Sequence, residues 1–298
     1  MIACYHFVEN GDIQFAHFML GRKPQSMIVA NKKKLILFFA LAYGIAWICW
    51  LPLILSSTGV GLLPITIPMK FIVIGSFAPT ISALLTQWLT ERNLRIFRLD
   101  GSWKEILPGL LIGPILIAAT FIVLSSLLVT KGSFRLWDWA ILASYPLEIF
   151  RAAMMSAGPL GEESGWRGYA LPRLQKKLGP ILASLVIGFL WFAWHLPLFL
   201  IPTWSSSPVI VYALILIGLS FLMTVGFNLS GHSVITAIIM HSTFNASSSI
   251  LGGFLKSAEV RESPSPEFMI AVAFIIAAFI LVLITRGRLA FRNGPKAT

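Results

Sequence analysis

Eight apolar runs decide what this chain can become. They cover approximately 35–55, 70–90, 106–129, 138–157, 180–200, 208–228, 232–252 and 267–285. About 20 helical residues, rising 1.5 Å each, cross a hydrocarbon core roughly 30 Å thick. A chain that is 57% hydrophobic and 12% charged has too little polar surface for a soluble globule, whose charged fraction is roughly 25%. Closed barrels, the other spanning solution, show short alternating strands instead of long apolar runs. The sequence therefore predicts an all-α, polytopic membrane protein of about eight transmembrane helices. It divides into an N-terminal lead-in over 1–34 and a helical membrane domain over 35–290.

The net charge of +11 points to loops beside anionic lipid rather than to nucleic acid. With eight passes and both termini on one side, that side collects Arg22, Lys23, Lys32, Lys33, Lys34, Arg92, Arg95, Arg98, Lys104, Arg167, Arg173, Lys176, Lys177, Arg286, Arg288, Arg292 and Lys296. The other side holds only Lys70, Lys131, Arg135, Lys256 and Arg261. This asymmetry predicts that both termini are cytoplasmic. It also predicts that Glu162 and Glu163 lie at or just inside the cytoplasmic boundary. In the lead-in, Cys4, His6 and His17 have no regular ligand spacing. No apolar core near the start reads as a signal peptide. Met27, followed by Ile-Val-Ala-Asn-Lys-Lys-Lys, reads as a second candidate start. Cys4 and Cys49 make no disulfide framework, and Cys49 reads as a small core residue.

Ionisable groups inside apolar spans are expensive and mark candidate sites. Glu148 and Arg151, three apart in the fourth run, read as a structural pair. Glu162, Glu163 and Arg167 form Glu-Glu-x-x-x-Arg. On a helix Glu163 and Arg167 share a face. Glu162 points about 100° away, free to act as a general base. A charge cluster meeting lipid headgroups is the competing reading. His195 stands four residues after Trp191 and two before Pro197, which deprives the Ala193 carbonyl of its helical partner. His241 and Asn245 share a face of the seventh run, amid Ser242, Thr243, Ser247, Ser248 and Ser249; such small polar residues also glue membrane helices together. His232 reads as facing water.

Glu162, His195, His241 and Asn245 come from three segments, and each can satisfy another. A carboxylate with two imidazoles suits zinc, with Glu162, His195 and His241 as the ligand set. It equally suits a metal-free water activated by Glu162. In both, Asn245 supports the oxyanion, and both lead to amide hydrolysis. Two other readings remain: a non-catalytic immunity or scaffolding protein whose polar cluster locks its helices, and a small-solute transporter. The absence of a P-loop argues against ATP-driven transport.

These motifs resemble the CAAX protease and bacteriocin-processing (CPBP, or Abi) family. Glu162, Glu163 and Arg167 match its first motif, His241 and Asn245 its third, and His195 its second, with Trp191 in place of the family's Phe. The match covers roughly 155–250. The resemblance implies an integral-membrane endopeptidase, of a metalloprotease or a metal-independent glutamate type. It implies that Glu162 and His195 activate water and that His241 and Asn245 complete the site. It implies a peptide or protein substrate met at the membrane, prenylated in some members, and a prokaryotic cell membrane as the location.

Overall fold

The computed structural model describes residues 25–94, 103–130, 143–155, 158–205, 207–256 and 265–292. Most of the lead-in, with Cys4, His6 and His17, lies outside these residues. Among the described residues the regular structure is helical. The α-helices are α1 (Gln25–Leu55), α2 (Ile72–Ser76), α3 (Ala78–Glu91), α4 (Trp103–Thr130), α5 (Tyr145–Met155), α6 (Gly158–Glu163), α7 (Leu171–His195), α8 (Val209–Leu229), α9 (Val234–Lys256) and α10 (Pro266–Ile284). A π-helical segment, Ser164–Ala170, joins α6 to α7. The protein is an all-α, polytopic membrane protein, and Cys49 is half-buried on α1.

Among the described residues, seven stretches are long and apolar enough to cross a membrane: Lys32–Leu55, Met69–Glu91, Trp103–Val123, Gly158–Leu200, Val209–Leu229, Val234–Leu251 and Glu267–Ile284. The fourth has 43 residues, which as a straight helix would measure about 65 Å, twice the hydrocarbon thickness. It is folded double. Gly179 has φ 77° and ψ 168°, a conformation open to glycine alone at low cost, and Pro180 is preset to begin the next helix. On one straight helix Glu162 and Trp191 would stand about 40 Å apart, yet their side chains are hydrogen-bonded. Trp166 likewise meets Trp194, with ring centroids 5.9 Å apart. Residues 158–178 and 180–200 are therefore antiparallel legs of a hairpin, and the seven stretches make eight passes.

This relocates the fourth pass, expected at 138–157. Of that run, residues 138–142 and 156–157 lie outside the described residues. Helix α5 has 11 residues, too few to cross, and carries the expected pair, with Arg151 Nη1 2.8 Å from Glu148 Oε1. The crossing leg is 158–178. Its charged residues made it read as a loop, but Glu163 and Arg167 are 0% exposed and satisfy each other inside the bundle.

One end of the bundle is basic. There Lys34 Nζ lies 3.0 Å, and Arg173 Nη2 3.8 Å, from Glu91 Oε1. Asn228 exchanges hydrogen bonds with Gln175 and donates to the Leu289 carbonyl. Lys176 and Lys177 are exposed at the hairpin tip. Measured along the leg, Glu162 lies about 22 Å from Lys177. The expectation that Glu162 and Glu163 sit at the boundary on the lysine-rich side is thus corrected: they lie deep in the bundle. Helix α3 runs parallel to the 158–178 leg. Gly161 packs on the Ser76 carbonyl and Gly165 on Pro79, where an added Cβ would meet Pro79 backbone at 2.5 Å. Close approach of this kind drives helix association in lipid.

Candidate active site

Consecutive helical residues point about 100° apart, so the two carboxylates diverge. Glu163 turns to Arg167, whose Nη1 donates to both Oε1 and Oε2 at 3.0 Å. It also accepts from His241 Nδ1 at 2.8 Å. The expected pair therefore forms, although Arg167 lies in a π-helical segment, a distortion found frequently at functional sites. The Nδ1 bond to Glu163 fixes the orientation of His241 and leaves Nε2 for other work.

Glu162 turns the other way. Its Oε2 accepts the Trp191 indole N–H at 2.5 Å. Its Oε1 borders a small space beside Gly158. A Cβ added to Gly158 would meet Glu162 Oε1 at 3.0 Å and His241 Cε1 and Nε2 at 3.7 and 3.9 Å. A carboxylate oxygen and an imidazole nitrogen thus flank one spot kept open by a missing side chain. Glu162 and His241 are 4% and 6% exposed.

Trp191 is the hub. Besides bonding Glu162, its ring lies under the Arg167 guanidinium, 4.3 Å from Cζ to centroid. It also packs against both imidazoles, 5.1 Å from His241 and 6.2 Å from His195. His195 is held by Nδ1–H donation to the Trp191 carbonyl at 2.8 Å. Its ring is enclosed by Trp194, Trp204 and Tyr212, at 4.7, 5.7 and 5.6 Å. Pro197 does not leave the Ala193 carbonyl open as expected. Leu196 N–H takes it as the chain tightens into a 3-10 turn over Leu196–Leu200.

The structure thus brings Glu162, Glu163, Arg167 and His241 into one cluster, with His195 joined to it through Trp191. Asn245 lies one turn beyond His241 on α9, half-buried. The polar residues around them do structural work. Ser242 and Thr243 donate to the Ile238 and Ile239 carbonyls, and Ser247 pairs with Tyr145 across to α5 at 2.7 Å. His232 sits in the turn before α9 with φ 74°, against Phe227 and Phe291, away from the cluster.

Among the described residues, no three His, Cys, Asp or Glu side chains are placed to hold a metal ion. The expected zinc set of Glu162, His195 and His241 does not converge on one point, because the Trp191 indole is packed against both imidazoles. No step below runs through a metal.

Sequence reasoning missed two features, the role of the Trp191 N–H and that of Gly158. A buried indole N–H needs an acceptor, so Trp191 carried a signal that Phe at this position would lack. Gly158 acts by leaving space, and a single sequence gives no sign of that. Trp191→Phe is expected to keep the fold and slow turnover about tenfold, since one hydrogen bond to a charged partner contributes about 1.5–3 kcal/mol. Comparing kcat of the two proteins at matched thermal midpoints checks this.

Residues 145–247 match the family model described as Type II CAAX prenyl endopeptidase Rce1-like. That segment is similar to the CAAX protease family. A curated relative, CAAX prenyl protease 2 of Methanococcus maripaludis, is 30% identical over 130 residues, covering 41% of this chain and 45% of that protein. The chain thus spans less than half the length of the curated relative it matches. The matched segment contains α6, the π-helical segment, both legs of the hairpin, the cluster of Glu162, Glu163, Arg167 and His241, and also His195 and Asn245.

Proposed function

We propose that the chain is an intramembrane endopeptidase that cleaves a membrane-associated peptide with a water activated by Glu162. The observation that carries this reading is the space beside Gly158, bounded by Glu162 Oε1 and His241 Nε2. A water there is within reach of a carboxylate base, and it attacks the scissile carbonyl carbon as Glu162 takes its proton. Asn245, one turn along α9, supports the oxyanion of the tetrahedral intermediate. When the C–N bond breaks, the proton held by Glu162 passes to the departing nitrogen, leaving a carboxylic acid and a free amine and restoring the Glu162 carboxylate. His195, enclosed by Trp194, Trp204 and Tyr212, is assigned to orienting the departing amine. Glu163 and Arg167 hold His241 in place.

The basic end is assigned to the cytoplasm by the excess of lysine and arginine there. The substrate class follows the relative's name, a prenylated CAAX-type peptide, with unlipidated membrane peptides as the alternative. The test uses the purified chain in nanodiscs with fluorescent peptides, lipidated and unlipidated. Wild type is expected to cleave. Gly158→Ala, which fills the water's place, is expected to cut kcat about 100-fold, the scale of losing a positioned reactant, while the thermal midpoint stays within a few degrees. If wild type cleaves none of the peptides, the cluster is a structural lock and the reading fails. If Gly158→Ala cleaves normally, the water sits elsewhere.

A further inference from the structure

The loop between α1 and α2, residues 56–68, is built inside out. It contains no charged residue. Two stretches able to cross a membrane, Lys32–Leu55 and Met69–Glu91, enter and leave it. Lys34 meets Glu91 at the basic end, and α1 rises about 32 Å from Lys34 to Leu55. The loop therefore lies about one hydrocarbon thickness from the lysines, at the opposite face of the bundle.

A loop in water is expected to turn its polar groups outward. Here the hydroxyls turn inward. Ser56 Oγ donates to the Leu53 carbonyl, Ser57 Oγ to that of Ile65 and Thr58 Oγ1 to that of Ile67. Thr66 Oγ1 lies 2.9 Å from Ser57 Oγ. The backbone folds on itself in the same way. The amides of Ser57, Gly59, Val60, Gly61 and Leu63 donate within the loop or to the last turn of α1. Gly61, at φ 74°, takes the left-handed conformation that glycine adopts at little cost. What faces outward is apolar: Val60, Leu62, Leu63 and Ile65 are 45%, 73%, 39% and 49% exposed. Irregular backbone is costly at lipid depth unless its polar groups find partners, and these internal bonds supply many of them. Lys70, exposed just after the loop, can keep its stem in the apolar layer and its ammonium among headgroups.

We propose that residues 60–65 dip into the lipid leaflet at the end opposite the lysines, with acyl chains as their partner. Lipid is the occupant because the loop offers apolar side chains and no charge, at the depth where the bilayer boundary meets the bundle. The proposal stands apart from the endopeptidase reading and does not depend on it.

Spin labelling of the full chain in nanodiscs tests it. With Cys4→Ser and Cys49→Ala as background, a nitroxide is placed by Leu62→Cys or, separately, Ile65→Cys. Reference labels are Phe279→Cys, at a side chain 63% exposed on α10, and Lys177→Cys, at the exposed hairpin tip. Power saturation compares collisions with oxygen, which concentrates in hydrocarbon, and with a nickel chelate, which stays in water. Labels at 62 and 65 are expected to match that at 279, with an oxygen-to-nickel ratio several-fold above that at 177. A ratio equal to that at 177 overturns the proposal, because the loop then faces water. Low collision rates with both reagents also overturn it, because another protein surface then covers the loop. The unsubstituted chain supplies a second measurement, free of any folding defect. Phosphatidylcholine carrying a diazirine in its acyl chain is expected to crosslink to residues 60–65 as readily as to α10, and adducts on α10 with none on the loop would sink the idea.

Discussion

Glu162→Gln is expected to reduce peptide hydrolysis about 1,000-fold, in the range general bases supply, while leaving the protein at least as stable as wild type. Glutamine keeps the shape and an oxygen for the Trp191 N–H, so the hub survives. It removes one of two adjacent buried carboxylates, so less charge is held inside the bundle. Loss of activity with an unchanged or raised thermal midpoint is therefore the signature of a base rather than of a lock. Single-turnover cleavage of a quenched fluorescent peptide measures the first quantity, and thermal unfolding in detergent the second. Cleavage retained within tenfold would move the base to another residue.

Arg167→Leu is expected to have the largest effect on stability. Arg167 and Glu163 are both 0% exposed, and removing one partner of a buried pair leaves an uncompensated charge, costing about 3–5 kcal/mol. Glu163, the group that orients His241, is the carboxylate left without its cation. Combining Arg167→Leu with Glu163→Gln is expected to recover most of the stability, since no charge then remains unpaired. Activity should stay low in the double variant, because His241 no longer donates to a carboxylate. A double variant as unstable as Arg167→Leu alone would show that packing over Trp191, not charge, carries the cost.

The eight passes were legible because lipid demands long apolar helices, and that demand is written in composition. The fourth pass was misplaced because hydropathy prices each residue alone. It debits Glu162, Glu163, Arg167 and Arg173 in the 158–178 leg without crediting their mutual satisfaction. The same blindness put Glu162 near the membrane surface. The pairing of Glu163 with Arg167 was legible from a spacing of four. The bond from His241 to Glu163 was not, because it joins residues 78 apart whose meeting depends on how α9 packs. Trp191 was visible as an aromatic filling the family's Phe position, but its bond to Glu162 needed the hairpin to bring the legs together.

Gly179 makes that hairpin a measuring device. From the tip, one leg counts out to Glu162 and the other to Trp191 and His195, and the chemistry depends on the two counts ending at the same depth. Removing a single residue between Arg173 and Lys177 would draw Glu162 about 1.5 Å along its axis and swing it about 100° around it, away from the indole. The stretch nearest the surface, farthest from the reacting atoms and free of contact with them, is thus among the least tolerant of a change in length.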